Sequence, residues 1–415
     1  MCRAPVIRRV WGISVGLSET VRQAHADGGT AAVLGLARAS RGPVVEPAPG
    51  SPDCDVIFYD VTFVLADPRG APRQVALFCP ALPSGFARLT AVGDGVFAGT
   101  FRLPRASRVP YHFCLDPPDE LEGAALAELA RSPAGRRLDR MNPSFVQVHI
   151  RGLRLRILHS LLTLPGARPA PAARHVPGAG RGSFEELTVN SRALGRAKKA
   201  VLYRPAGTTA APHQVVVMLQ GNEEWHDIAF LDNLAASMRG APLLAVLFSE
   251  HSFTAKLRDF GSGTGHTRFI VDELWPELTR RVPVRAEAAV AGFSAGGVAA
   301  ATLAAEEPGL FPRLALISAA LQLNGSMDVR RAGDGSAGLL GRFGNGDRAP
   351  QRAYLAAGWY EDAWDAGIHD GTSALAQLLG QRGTTVRFDS GPTGHDTISA
   401  RAYLADGLGW LFASG

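Results

Sequence analysis

Lysine is nearly absent from this chain: 415 residues hold three, Lys198, Lys199 and Lys256, although 43 basic residues stand against 38 acidic ones. Arginine supplies the rest. The net charge of +5 is not gathered into a basic run with interleaved aromatics, which argues against a nucleic-acid partner. An arginine-rich, lysine-poor balance beside abundant Ala, Gly and Pro fits a GC-rich coding sequence, and guanidinium groups equally suit anionic ligands. Cysteine is scarce too. Cys2, Cys54, Cys79 and Cys114 form no CxxC pair and no metal-ligand spacing, so free buried thiols are expected rather than a disulfide framework or a metal site. No apolar run approaches the roughly 20 residues of a membrane-spanning helix. Arg3, Arg8 and Arg9 precede a short apolar stretch, Val10 to Leu17, with Glu19 and Arg22 directly after it. That is a poor secretion leader, and a cytoplasmic location is expected.

What is present points to two cores, because a domain commonly takes about 100–200 residues. Residues 1–45 read as a helical segment, with apolar positions Val15, Val21, Ala24, Ala31, Leu34 and Leu36 interrupted at Gly28-Gly29. From Val56 the period becomes two, in Val56–Val64, Gln74–Phe78, Val96–Phe101 and Pro110–Cys114, separated by turn-forming residues. This predicts a small β-sandwich over 46–150, closing near Asn142-Pro143. Residues 151–182, with a Pro/Ala/Gly/Arg stretch from Pro165, read as a linker. In 183–415 apolar strands (Ala200–Tyr203, Val215–Leu219, Leu243–Phe248, Ala288–Ala291, Leu314–Ile317, Arg352–Ala357) alternate with helical segments. That alternation predicts an α/β domain with a mostly parallel sheet covered on both faces.

The chemistry concentrates where Ala288-Ala289-Val290-Ala291 runs into Gly292-Phe293-Ser294-Ala295-Gly296 and on into an alanine-rich helix. A strand, a G-x-S-x-G turn and a helix together make the setting of a nucleophile elbow, in which glycines permit a turn tight enough to lift the serine oxygen above the sheet. Without chemistry, the same residues are an ordinary strand-to-helix turn. A serine hydroxyl needs a base to take its proton, and the α/β-hydrolase order along the chain is serine, acid, histidine. Two histidines follow Ser294. His395 lies in a loop between strand Val386–Phe388 and the last helix and is the expected base. His369, at a helix start, is the fallback, with capping or surface exposure as its ordinary role. The acid is expected just after Arg352–Ala357, where Glu361 is the first choice, Asp362 the second and Asp365 the third. Any of these also suits a helix N-terminus. Donors for a developing oxyanion are expected from the N–H groups of Ala295 and Asn222.

Several further segments carry a resemblance: Gly182-Ser183-Phe184-Glu185-Glu186-Leu187-Thr188-Val189-Asn190-Ser191-Arg192-Ala193-Leu194-Gly195, continuing to Val201–Pro205; Arg268-Phe269-Ile270-Val271-Asp272-Glu273-Leu274-Trp275-Pro276; and Gly394-His395-Asp396 with Arg401 six residues beyond the histidine. Together with Val61-Thr62-Phe63, Asp67-Pro68 and Asp139 to Asn142-Pro143, they resemble the enterochelin (enterobactin) esterases, which hydrolyse the trilactone ring of catecholate siderophores so that iron can be released. The resemblance runs from about Gly42 to the end. It departs at Leu219-Gln220-Gly221, where the family commonly shows Leu-Asp-Gly, and at Thr393, Thr397 and Ala400 in the histidine motif. It implies an N-terminal β-sandwich and a serine esterase that works through an acyl-enzyme with no metal or other cofactor, iron arriving with the substrate. It also implies a small-molecule substrate, with neither nucleic acid nor membrane as partner. An anionic ligand would suit Arg258, Arg268 and Arg401, each equally readable as a surface ion pair. Trp225 and Trp359 would stack on catechol rings or lie in the core. Two alternatives stand beside this reading: an esterase or thioesterase for another acyl or peptide ester, as in natural-product biosynthesis, and a binding protein that keeps the fold without activity.

Overall fold

The computed structural model describes residues 12–49, 56–67, 72–119, 135–150, 155–168, 180–207, 212–220, 225, 228–238, 242–249, 259, 265–321, 343, 349–362 and 367–413. Helix α1, Glu19–Ala39, starts where Ser18 Oγ accepts from Val21 N, and it leaves helical geometry at Gly28 and Gly29. Val21, Val33 and Ala37 press it onto the first sheet.

Ten strands follow: β1 Val44–Pro47, β2 Phe58–Ala66, β3 Val75–Phe78, β4 Phe86–Arg88, β5 Thr90–Gly93, β6 Val96–Pro104, β7 Arg108–Leu115, β8 Arg136–Arg137, β9 Phe145–Ile150 and β10 Leu155–Thr163. They form two sheets, β1-β2-β6-β5 and β4-β3-β7-β10-β9, with β8 beside β7. One core joins them. Phe63 and Phe101 from the first sheet meet Leu77, Tyr111 and Phe113 from the second, all essentially unexposed. Alternation at period two is what sends these residues inward. The β9–β10 hairpin corrects the expected boundary at 150 and the linker from 151. β10 pairs with β7, Ser160 opposite Tyr111, and Leu162 and Leu164 are buried in the shared core, so the sheet body continues into this stretch.

The second body is an eight-stranded sheet of β11 Ser183–Ser191, β12 Arg196–Arg204, β13 His213–Gln220, β14 Leu243–Ser249, β15 Val284–Phe293, β16 Arg313–Ile317, β17 Arg352–Gly358 and β18 Thr385–Gly391, in the order β11-β12-β14-β13-β15-β16-β17-β18. β11, β12 and β14 pair antiparallel in sequence, and all remaining pairs are parallel. Helices α2 Ile228–Ser237, α3 Trp275–Arg281, α4 Ala295–Glu306, α5 Ile368–Gln381 and α6 Thr397–Phe412 cover it, α3 being reached through His266–Arg268 and a π-helical stretch, Phe269–Leu274. Val215, Val217 and Leu219 of β13 face one apolar layer, while Val216 and Met218 face the other. A strand buried on both faces therefore reads as a continuous apolar run.

Candidate active site

Four consecutive parallel strands of the sheet, β15 to β18, run into the site from the same end. The residues just past them are Ser294, Ser318, Glu361 and His395. This is where open α/β sheets place ligands, outside the carboxyl ends of their strands. Ser294 sits between β15 and α4 with φ 55 and ψ −126, a left-handed conformation that an L-residue adopts only under constraint. The constraint is visible: Ser294 N donates to Ile317 O at 3.2 Å, and Ser294 O accepts from Gly297 N and Ala320 N, each at 3.0 Å. Gly292 is required by the close approach. A Cβ there would lie 2.3 Å from Gly296 O, a contact between two backbone segments that cannot give.

His395 Nε2 stands 3.0 Å from Ser294 Oγ. Its ring is stacked on Phe293 at 4.6 Å between centroids. Nδ1, on the far side, faces Glu361 Oε2 at 3.8 Å. The two side chains differ in access: that of His395 is 36% exposed, that of Glu361 0%. A buried carboxylate needs partners. Ser318 Oγ donates to Glu361 Oε1 at 2.6 Å, whereas no hydrogen-bond donor among the described residues reaches Glu361 Oε2. The imidazole of His395 faces that oxygen.

Asp396, beside the histidine in sequence, is engaged elsewhere. Its carboxylate accepts from Ile398 N, Ser399 N and Ser399 Oγ at 2.9, 2.9 and 2.8 Å, capping α6. Burial pushes its pKa up to about 6. Asp362 shares the 3-10 turn Trp359–Asp362 with Glu361. Asp365, Asn222 and Arg258 lie outside the described residues. His369 Nε2 is within 2.9 Å of Ser390 Oγ, a partner other than Ser294. Ala295 opens α4, with its N–H at the N-terminus of the helix. Chemically, a hydroxyl in line with an imidazole whose other nitrogen faces a buried carboxylate can be deprotonated for attack on a carbonyl carbon.

Residues 191–393 match the family model described as "Putative esterase". No curated protein matches the chain in sequence. Among solved structures, the enterobactin esterase of Shigella flexneri in the presence of enterobactin is similar at a TM-score of 0.70 and 21% identity, over 91% of this chain and 97% of that one. The ferric enterobactin esterase of Salmonella typhimurium gives 0.72 and 18%, over 91% and 98%. At these identities the likeness is one of fold, and it extends over both the N-terminal sheets and the hydrolase sheet. The chain is an esterase with the enterochelin-esterase fold.

Placed in the esterase, the other candidate residues divide. Trp225 is fully buried and packs 6.2 Å from Phe293 between ring centroids, so it corrects to core: no face of the indole is open to a ligand. Trp359 is half-buried and lines a cavity of about 260 Å³ beside the histidine loop, together with Arg108, Arg168, Thr393 and Tyr403. Arg401, on α6, lays its guanidinium over Phe230 at 5.3 Å. Arg268 is exposed at the end of its short helix. Cys79 and Cys114 are free and buried. Among the described residues no cluster of His, Cys, Asp or Glu is arranged to hold a metal ion, and no helix is long and apolar enough to cross a membrane. Ser318 escaped the sequence reading, although its place just after β16 matches those of Ser294 after β15 and Glu361 after β17.

Proposed function

We propose that this esterase hydrolyses the lactone esters of a catecholate siderophore, with Ser294 as nucleophile, His395 as general base and Glu361 as the acid that orients the histidine. The observation that carries the reading is the 3.0 Å approach of His395 Nε2 to Ser294 Oγ at a strained elbow. Attack of Oγ on the ester carbonyl passes the hydroxyl proton to Nε2, and the imidazolium so formed is stabilised by Glu361 across Nδ1. The carbonyl oxygen gains charge and is received by the N–H of Ala295 at the helix N-terminus, Asn222 being the second donor expected from the sequence. Collapse of the tetrahedral species breaks the C–O bond, and His395 returns the proton to the departing alkoxide. Water then repeats the sequence on the acyl-enzyme, releasing acid and free Ser294.

The substrate class is supported by the fold shared with enterobactin esterases and by the arginine- and tryptophan-lined cavity. At about 260 Å³ it is smaller than the roughly 300–1,000 Å³ of sites for drug-sized ligands. It suits one aryl arm, with Trp359 against the ring and Arg108 and Arg168 near its anionic oxygens. Iron arrives with the substrate, and the cytoplasm is the proposed compartment. The test is a panel of kcat/KM values for a catecholate trilactone, simple aryl esters and aryl thioesters. The trilactone should lead by at least about tenfold, equal to some 1.4 kcal/mol of transition-state discrimination. A lead for thioesters or peptide esters instead would assign the enzyme to another acyl substrate.

A further inference from the structure

The turn that carries Glu361 is short, four residues from Trp359 to Asp362, and a single 3-10 turn has little internal bonding to set its own orientation. Its fixed points lie elsewhere. Glu361 reaches inward to Ser318, while Tyr360 enters the core between the two N-terminal sheets, where it is 2% exposed. There its hydroxyl meets Ser107 Oγ at 2.7 Å, and Ser107 Oγ also lies 2.7 Å from Pro104 O. A serine hydroxyl has one proton to give. With that proton on Pro104 O, Ser107 accepts and Tyr360 donates. Ser107 is itself fully buried, in the turn between β6 and β7, and Leu164 N donates to its carbonyl at 3.0 Å.

The histidine loop leans on the same body. Tyr360 N donates to Thr393 O at 3.2 Å, two residues before His395. Gly394 lies so near the loop after β3 that a Cβ on it would come within 2.7 Å of Pro80 Cβ. Both partners of Ser294 are thus held by segments that touch the N-terminal sheets, across a gap of 3.8 Å between Nδ1 and Oε2 that a small displacement would open or close.

We infer that Ser107 and Tyr360 are positioning residues: their buried hydrogen bond fixes the turn that aims Glu361 at His395, so the N-terminal sheets take part in catalysis through it. This rests on the triad proposed above. The experiment measures kcat, KM and thermal midpoint on a soluble aryl ester for Ser107→Ala, Ser107→Thr and Tyr360→Phe, each alone and combined with Glu361→Gln. Tyr360→Phe keeps the ring and its packing, so it reports on the hydroxyl even where Ser107→Ala folds poorly. Both Ser107→Ala and Tyr360→Phe should lower kcat roughly ten- to a hundredfold, the scale of an ångström-size misplacement, with KM unchanged, and Ser107→Thr should restore most of the rate. In the Glu361→Gln background the same changes should cost nothing more, because the group they aim is already disabled. Wild-type kcat in folded Tyr360→Phe would overturn the inference, as would an equal loss in the Glu361→Gln background. Wild-type kcat in Glu361→Gln would instead overturn the acid assignment, and the inference with it.

Discussion

Nδ1 of His395 and Oε2 of Glu361 face each other at 3.8 Å, while Ser318 holds the other carboxylate oxygen at 2.6 Å. The first distance is too long for a hydrogen bond. Catalytic contacts in free enzymes are often loose and tighten only when charge develops. Here the ring becomes cationic on taking the serine proton, and the carboxylate beside it is buried and has an oxygen to spare. Glu361→Gln removes that charge and should lower kcat by about 10² to 10⁴ with the fold intact. Asp362→Asn should stay near wild type. Steady-state kinetics on an aryl ester check both.

Gly292 predicts a stability effect. An alanine there would drive its Cβ to 2.3 Å from Gly296 O and 2.6 Å from Gly296 C, with backbone on both sides of the contact. Relief requires the elbow to open, which also moves Ser294. Gly292→Ala should cost about 1–3 kcal/mol, as overpacking generally does, and remove most of the activity. Denaturant unfolding and a kcat measurement together check it.

The pH dependence of stability follows from four groups, His112 and His266 buried and His159 and Asp396 partly so. Burial, and then nearby cations, lower the pKa values of His112, His266 and His159 from 6.5 to about 2, 3 and 4. Below about pH 6.5 the unfolded chain takes up protons that these folded imidazoles refuse, so their contribution is complete above that pH and is lost as pH falls toward 4. Asp396 has the opposite sign. Its folded carboxyl, raised by burial to about 6 from 3.8, keeps its proton longer than the unfolded one, so its contribution declines as pH rises through that window. Three histidines outweigh one aspartate, and the urea midpoint should be lower near pH 5 than near pH 7. His159→Gln should flatten this slope. Asp396→Asn, which keeps the helix cap, should steepen it.

The elbow was legible because its geometry demands small residues at fixed positions on both sides of Ser294, and few other structures do. The approach of His395 to Ser294 was foreshadowed by its order along the chain. The choice between Glu361 and Asp362 was not, since adjacent residues of one turn differ only in which way the turn faces. Trp225 shows the limit for aromatics: the same ring suits a ligand or a core, and only its full burial decides. The β9–β10 hairpin has a sequence signal, arginine and apolar residues alternating from Leu153 to Ile157 at the period of a strand, but Asn142-Pro143 is the stronger local break. Ser107 and Tyr360, 253 residues apart, carry no local signal of their contact. It arises only where the N-terminal sheets meet the eight-stranded sheet.

An activated nucleophile at Ser294 is tested most directly by covalent labelling. The intact protein is treated with a fluorophosphonate, and the modified residue is located by peptide mass spectrometry. A single adduct is expected on Ser294, slowed strongly in His395→Ala and absent in folded Ser294→Ala. No adduct, an adduct on another serine, or ester hydrolysis surviving in Ser294→Ala would contradict that role.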